Sequence, residues 1–331
     1  MHYVEYLLPT QTEKIAVVKQ FLAGFGLKWE VGIDFTVVIL ECDEIVATGS
    51  LDGAILKCIA ISPEHQGMDY TAILITELTK RAFAKGHDRL FLYTKPENEN
   101  RFSQFGFGTI AKTKSVVWME NRKDGVNRYI QGIIHPDFAG KIGCIVANAN
   151  PFTNGHLHLV RKACDVCDWV YLFIVSEEKS MFSFDERIML AKSATRDISN
   201  LAVVPTDVYM VSSASFPTYF LPKDANPEKI ECELDIAVFT EKIAKPLGIT
   251  HRFLGEEPMS AVTNEYNNQL VQALPRAGIE VTVLPRFVQD GQVVSATTVR
   301  ELYLARRYDE LFVLVPESTY EYLLEKGKNN G

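Results

Sequence analysis

IGCIVANANPFTNGHLHLV, residues 142–160, decides how the chain folds. Six apolar or small residues, Ile142–Ala147, run straight into Asn, Pro and Gly, and then Leu157, Val160, Cys164 and Cys167 recur at helical spacing. An unbroken apolar strand that turns directly into an amphipathic helix is the opening of a parallel βα unit. The pattern repeats downstream. Strands at 142–147, 169–175, 201–205, 251–255 and 279–285 alternate with helices at 156–168, 185–196, 228–244, 262–274 and 297–307. Such alternation predicts a doubly wound parallel sheet covered on both faces, with ligands at the carboxyl ends of its strands.

Upstream the pattern differs. Strands at 35–40, 45–50 and 54–61 precede a helix over Tyr70–Lys85 that Gly86 stops, a strand at 89–94, a short helix at 98–104, the turn FGFG and a strand at 115–119. That is a mixed α+β unit. The stretch 121–140 combines Gly, Pro and charge without sustained periodicity. The expected organisation is therefore a first domain over 1–120, a linker over 121–140 and an α/β domain over 141–331. A chain of 331 residues is long enough for two cores.

The net charge of −8 argues against a protein that neutralises a nucleic-acid backbone. Neither an 18-residue apolar run nor a basic segment followed by an apolar one occurs, so a cytoplasmic protein is expected. Six cysteines suit reduced thiols, and Cys164 and Cys167, on one helix face, read as small core residues.

The turn 148–155 lies on the ligand side of the predicted sheet. Gly155 allows close backbone approach to an anion, and a helix N-terminus offers amides and a positive dipole end to phosphates. His156 stands in the first helical turn; His158, two residues on, points to a different side of the helix and reads as solvent-exposed or structural. Near the C-terminus Ser295, Thr297 and Thr298 offer hydroxyls and amides at another helix start, and Arg300 is a planar donor suited to phosphate oxygens.

Three segments carry a resemblance. TNGH (153–156) is similar to the T/H-x-G-H signature of the nucleotidylyltransferase superfamily. KSMFSFDERIML (179–190) resembles the Lys loop and Glu-Arg helix start of phosphopantetheine adenylyltransferase, and VSATTVREL (294–302) resembles the superfamily's C-terminal phosphate clamp. The resemblance implies a Rossmann-variant domain that attacks the α-phosphate of ATP and expels pyrophosphate. Thr153, His156 and Lys179 would be catalytic. Asn148, Asn150, Phe152, Gly155, Gly255, Glu256, Ser295, Thr297, Thr298 and Arg300 would bind ATP, while Arg187 would either join them or brace the helix start. Mg²⁺ is expected through the ATP phosphates, with no metal ligand from the protein.

SSASFPTYFLPKD (212–224) and GEEPMSAVTNEYNNQL (255–270) extend the likeness to the citrate lyase ligase family over essentially the whole chain. That implies a ligase that makes acetyl-adenylate from acetate and acetylates the thiol of a CoA-like prosthetic group on the citrate lyase acyl carrier subunit. Ser212, Ser213, Ser215, Tyr219, Thr263 and Tyr266 become candidates for the adenosine and acetate pocket. The first domain, through AILKCIAI (54–61), PEHQGMDYT (63–71) and RFSQFGF (101–107), resembles the acetyl-CoA-dependent N-acetyltransferases. It departs from them where Asp69 replaces a pyrophosphate-loop glycine and Phe102 a tyrosine. Recognition of the prosthetic arm, through Gln66, Gly67 and Thr71, is expected rather than acetyl transfer from CoA. Two alternatives stand: adenylylation of a phosphate monoester such as phosphopantetheine, and a non-catalytic module sensing CoA or adenine.

Overall fold

A computed structural model describes residues 2–67, 69–137, 140–178, 180–210, 216–222, 224–257 and 260–329. The elements begin with β1 (His2–Leu7), α1 (Thr12–Ala23), β2 (Phe35–Glu41), β3 (Glu44–Asp52) and β4 (Ile55–Ile61). There follow α2 (Tyr70–Ala84), β5 (Phe91–Thr94), α3 (Glu99–Ser103), β6 (Gly108–Lys112), β7 (Val117–Glu120) and α4 (Gly125–Gln131). Next come β8 (Ile142–Ala147), α5 (Asn154–Val166), β9 (Trp169–Ile174), α6 (Phe184–Ala194), β10 (Leu201–Pro205) and α7 (Pro227–Val238). The chain continues through α8 (Lys245–Leu247), β11 (His251–Gly255), α9 (Ala261–Ala273) and β12 (Glu280–Leu284). A hairpin of β13 (Val288–Gln289) and β14 (Gln292–Val293) precedes α10 (Ala296–Leu304) and α11 (Glu317–Asn329).

These elements gather into two compact units, Met1–Arg128 with Val211–Ala237, and Tyr129–Met210 with Val238–Gly331. This differs in two ways from a first domain over 1–120, a linker over 121–140 and a second domain over 141–331. The stretch expected as a linker contains helix α4, and 211–237 belongs with the first unit.

The first unit holds a seven-stranded sheet in the order β1-β2-β3-β4-β5-β7-β6. Strands β4 and β5 run parallel and pair only at Ile55–Phe91 and Leu56–Leu92. Past that pairing a cleft opens, lined by Ile59, Ala60, Thr71, Thr94, Phe102 and Tyr219 among others. Helix α2 turns Leu74, Ile75, Leu78 and Ala82 onto the sheet, where they bury with Val37, Ile39 and Leu51. Tyr219 reaches the cleft because its segment is tied down. The Tyr219 carbonyl accepts the Lys28 N–H at 2.9 Å, and its hydroxyl donates to the Tyr93 carbonyl at 3.4 Å. Lys57, buried in β4, bonds to the carboxylates of Glu30 (2.9 Å) and Asp52 (2.8 Å), because an ammonium held out of water needs anionic partners. Glu30 also accepts the Thr218 hydroxyl at 3.0 Å.

The second unit holds a five-stranded parallel sheet in the order β10-β9-β8-β11-β12. The chain winds outward from β8 in one direction and then, from β11, in the other, so the switch point lies between β8 and β11. Ile145, Leu172, Ile174 and Phe253 from the strands meet Val160 and Ala163 of α5 and Leu190 and Ala191 of α6 in one core. Cys164 and Cys167 pack into that core as free thiols, and burial pushes them up to about 12 and about 11. The helix expected over 228–244 is not uniform: α7 ends at Val238 and a π-helix, Phe239–Ala244, continues it.

Arg187 joins the carboxyl ends of two strands. Fully buried in α6, it donates from Nε to the Phe182 carbonyl (3.1 Å) and from Nη1 to the carbonyls of Asn148 (2.8 Å) and Val175 (2.7 Å). Nη1 also meets Asn148 Oδ1 at 2.8 Å, and Nη2 donates to the Glu177 carbonyl. Where loops leave β8 and β9 these carbonyls lose their ladder partners, and one rigid fork satisfies them together. Arg187→Met is expected to cost at least about 3 kcal/mol through unsatisfied buried carbonyls, a fall in Tm of roughly 6–12 °C. Arg187→Lys recovers only part of it, because three donors on one nitrogen cannot span the set. A melting point for Arg187→Met within 2 °C of wild type, on the scale of about 2–4 °C per kcal/mol, contradicts this role.

Candidate active site

The site is built from the β8–α5 turn. Thr153 is the N-cap of α5: its Oγ1 accepts the His156 N–H at 3.4 Å, while His156 Nδ1 accepts the Thr153 N–H at 3.0 Å. This reciprocal box fixes the imidazole as well as the helix start. With Nδ1 committed as an acceptor, the ring proton is assigned to Nε2. The ring stacks on Phe152, centroids 5.4 Å apart. Burial, and then repulsion from Arg286, push its pKa down to about 4. His156 therefore presents a neutral N–H donor at physiological pH rather than an imidazolium.

The other first-turn amides are partly used. The Asn154 N–H goes to the Leu314 carbonyl at 2.9 Å and the His156 N–H to Thr153, which leaves the Gly155 amide without such a partner among the described residues. The Val294 carbonyl lies 3.4 Å from where a Cβ on Gly155 would stand, so the chain entering α10 packs against this turn. At that entry Ser295 caps α10 by accepting the Thr298 N–H at 3.1 Å. Arg300, one turn on, donates to the Asn150 carbonyl (2.6 Å) and to Thr297 Oγ1 (3.0 Å). The two helix starts and Arg300 thus converge on one turn, at the switch point.

Several expected ATP contacts turn out to be scaffold. Phe152 has no exposed surface and supports the His156 ring from below. Asn150 turns its Oδ1 inward to accept the Phe182 N–H at 3.1 Å, and the donors of Arg187 are spent on loop carbonyls. For Asn150 and Arg187 the reason is the same: the irregular turn after β8 leaves buried polar groups that its neighbours must satisfy. Asn148 is exposed and shares hydrogen bonds with Ser180 at 3.2 and 3.3 Å. Gly255 ends β11, the Glu256 N–H bonds to the Leu284 carbonyl (2.9 Å), and both stand at the carboxyl edge beside the switch point. Thr263 is exposed with its hydroxyl 2.8 Å from Ser260 Oγ in the cap of α9, and Tyr266 is half-buried on the same helix. Lys179, Ser212, Ser213 and Ser215 lie outside the described residues. Tyr219, expected in the adenosine and acetate pocket, lines the cleft of the first unit. His158 stacks on Phe287 at 4.7 Å, a structural contact.

Arg286 escaped the sequence reading. It stands two residues past β12, on the ligand side, donating from Nε to the Glu256 carbonyl at 3.1 Å and pairing with Glu257. A basic residue directly after a strand of the parallel sheet was the available signal.

In the first unit Gln66 and exposed Gly67, at φ +101°, precede α2, and Thr71 and Phe102 line the cleft. Glu41 accepts hydrogen bonds from Tyr70 and, at 3.1 Å, pairs with His65; the Tyr70 bond is the chief cause holding its carboxyl below the usual range. Glu41 and Asp69 therefore put two carboxylates at the start of α2, one bonded to Tyr70 and one at the N-cap. Among the described residues no group of three His, Cys, Asp or Glu side chains gathers as metal ligands, and no helix is long and apolar enough to cross a membrane.

Residues 142–323 match the model of the citrate lyase ligase C-terminal domain, and residues 30–107 that of the GNAT acetyltransferase family. The [citrate [pro-3S]-lyase] ligase of Klebsiella pneumoniae is 37% identical over 314 residues, 93% of this chain and 92% of that protein. The ligase of the same name from Escherichia coli K12 is 35% identical over 95% of this chain and 91% of its own. The phosphopantetheine adenylyltransferase of Campylobacter fetus is 39% identical over 67 residues, 20% of this chain and 42% of that enzyme. The chain is an enzyme, a ligase, and belongs to the citrate lyase ligase family.

Proposed function

We propose that the second unit activates acetate with ATP and that the acetyl group then passes to the thiol of the CoA-like prosthetic group on the citrate lyase acyl carrier subunit. The observation that carries this reading is the reciprocal box that fixes the His156 imidazole on Thr153 at the start of α5, in the same β8–α5 turn whose Asn150 carbonyl Arg300 bonds.

A carboxylate oxygen of acetate attacks the α-phosphorus of ATP, and the bond to the bridging oxygen breaks to release pyrophosphate. The product is acetyl-adenylate, a mixed anhydride. Such a transfer asks the protein chiefly for alignment and for stabilisation of charge on phosphate oxygens. His156 suits the α-phosphate, since a neutral donor hydrogen-bonds a non-bridging oxygen without surrendering its proton. Lys179 is assigned to the same phosphate, with Thr153 holding the imidazole. Arg300, Ser295, Thr297 and Thr298 would hold the β and γ groups, and Asn148, Gly255 and Glu256 are assigned to the rest of the ATP. Mg²⁺ arrives as part of the ATP substrate. The carrier thiolate then attacks the acetyl carbonyl and AMP leaves, which gives the thioester.

The first unit is assigned to the arm. The cleft beyond the β4–β5 pairing mixes apolar side chains with Thr71, Thr94, Asn98 and Arg101, which suits the alternating methylenes and amides of an extended pantetheine chain, and the carboxylates of Glu41 and Asp69 oppose ordinary acetyl-CoA binding. A cytoplasmic location accords with the six free thiols. The partial likeness to phosphopantetheine adenylyltransferase favours one second reading, in which the acceptor is a phosphate monoester.

Exchange of labelled pyrophosphate into ATP without carrier protein separates these readings: acetate is expected to support it, and support by phosphopantetheine alone contradicts the acetate reading. His156→Ala is expected to lower the exchange kcat by roughly 10²–10³, the typical cost of one preorganised transition-state donor, with a smaller change in ATP affinity. A kcat within threefold of wild type removes His156 from the chemistry. Ala60→Phe, which fills the cleft, is expected to leave acetate-dependent exchange within twofold and to abolish carrier acetylation. Equal loss, or equal retention, of the two activities contradicts the division of labour.

A further inference from the structure

Arg286 stands at the ligand side of the sheet, and its contacts to Glu256 and Glu257 use only part of its guanidinium fork. It follows β12, which neighbours β11, which neighbours β8, and its side chain runs back across the end of β11 to the Glu256 carbonyl. It thereby leans from the sheet edge toward the switch point. Its Nη2 pairs with the carboxylate of Glu257, while Nη1 makes no hydrogen bond among the described residues. The guanidinium is mostly buried, with 18% of its side-chain surface exposed against 38% for Glu257. It is also the charge that adds to burial in depressing His156, which places its field on the reacting turn.

A guanidinium offers a planar fork that binds a carboxylate or a phosphate in the same way. At the carboxyl edge of a parallel sheet, facing a turn that has His156 and Arg300 for the phosphates, a third donor set has an evident ligand. We propose that Arg286 is a phosphate-binding residue of the adenylylation step, and that Glu257 holds its fork in place until a triphosphate oxygen replaces the carboxylate. This rests on the adenylylating reading of the second unit. Arg286 and Arg300 then approach the triphosphate from opposite flanks of the β8–α5 turn, one from beyond β12 and one from α10. The exchange of partners conserves charge pairing at Arg286, and Glu257, the more exposed member, moves into solvent.

The two halves of this ion pair are predicted to behave oppositely. In pyrophosphate exchange at saturating acid, Arg286→Gln is expected to lower kcat/KM for ATP by roughly 10²–10³. Arg286→Lys, which keeps the charge without the fork, recovers part of the loss. Glu257→Gln, which removes the competing carboxylate, is expected to lower KM for ATP several-fold. A structural ion pair predicts instead that Arg286→Gln and Glu257→Gln lose activity in parallel with a fall in melting temperature, and that result overturns the proposal. So does a kcat/KM within twofold of wild type for Arg286→Gln. Should Arg286→Gln not fold, the signs for Arg286→Lys and Glu257→Gln decide alone: loss in both overturns the proposal. The exchange is run with whichever acid supports it in the wild type, so failure of acetate is seen there and leaves the comparison of variants standing.

Discussion

The geometry of the site depends on how one buried guanidinium settles the backbone around it. The carbonyls of residues 148, 175, 177 and 182 belong to three separate stretches of chain: the exits of β8 and β9 and the entry to α6. Each would be a costly orphan away from water, and Arg187 satisfies all four at once. With the β8 exit held, Asn150 can accept from Phe182, Phe152 can bury, and Thr153 and His156 can close their box at the start of α5. The same helix α6 is secured from the far end of the chain. Against the cost of burial, hydrogen bonds from Lys326, Tyr322 and Ser183 hold the Glu186 carboxyl down at about 2. The imidazole is thus positioned by a chain of satisfied polar groups, none of which needs to touch substrate.

Most of the second unit was legible because its strands are buried on both faces and read as unbroken apolar runs between helices of clear period. The position of the turn after the first of these strands followed from that alone, and so did the ligand side of the sheet. What was not legible depends on contacts between residues far apart in sequence. Asn150 and Phe152 share a turn with His156, and Arg187 lies in the segment 179–190, yet membership of a motif does not say which side chains face inward. Strands β1 and β6 are short or irregular in pattern, with β1 largely exposed, and α11 matters here because Tyr322 and Lys326 meet Glu186 across more than 130 residues.

The placement of 216–221 illustrates the same limit. Nothing in FPTYFL announces that it leaves an alternating α/β pattern to pack within the first unit. The cause lies in Lys57, whose buried ammonium draws in Glu30, which then has an oxygen to offer Thr218. Arg286 was overlooked for a related reason: its meaning comes from the strand order β8-β11-β12, which puts the residue after β12 within reach of the end of β11. A list of charged residues cannot convey that order. In the first unit Asp69 is legible as a residue before α2, whereas Glu41, which bonds Tyr70 at the start of that helix from a distant strand, is not.

The central claim is that a carboxylate oxygen becomes bonded to the α-phosphorus of ATP in this site. Acetate labelled with ¹⁸O in both carboxylate oxygens, carried through a complete turnover with ATP and the thiol acceptor, tests it at the level of a single bond. The account predicts one ¹⁸O atom in each AMP released and none in pyrophosphate. Unlabelled AMP, or label appearing in pyrophosphate or phosphate, would mean that acetate never attacks the α-phosphorus and would contradict the account.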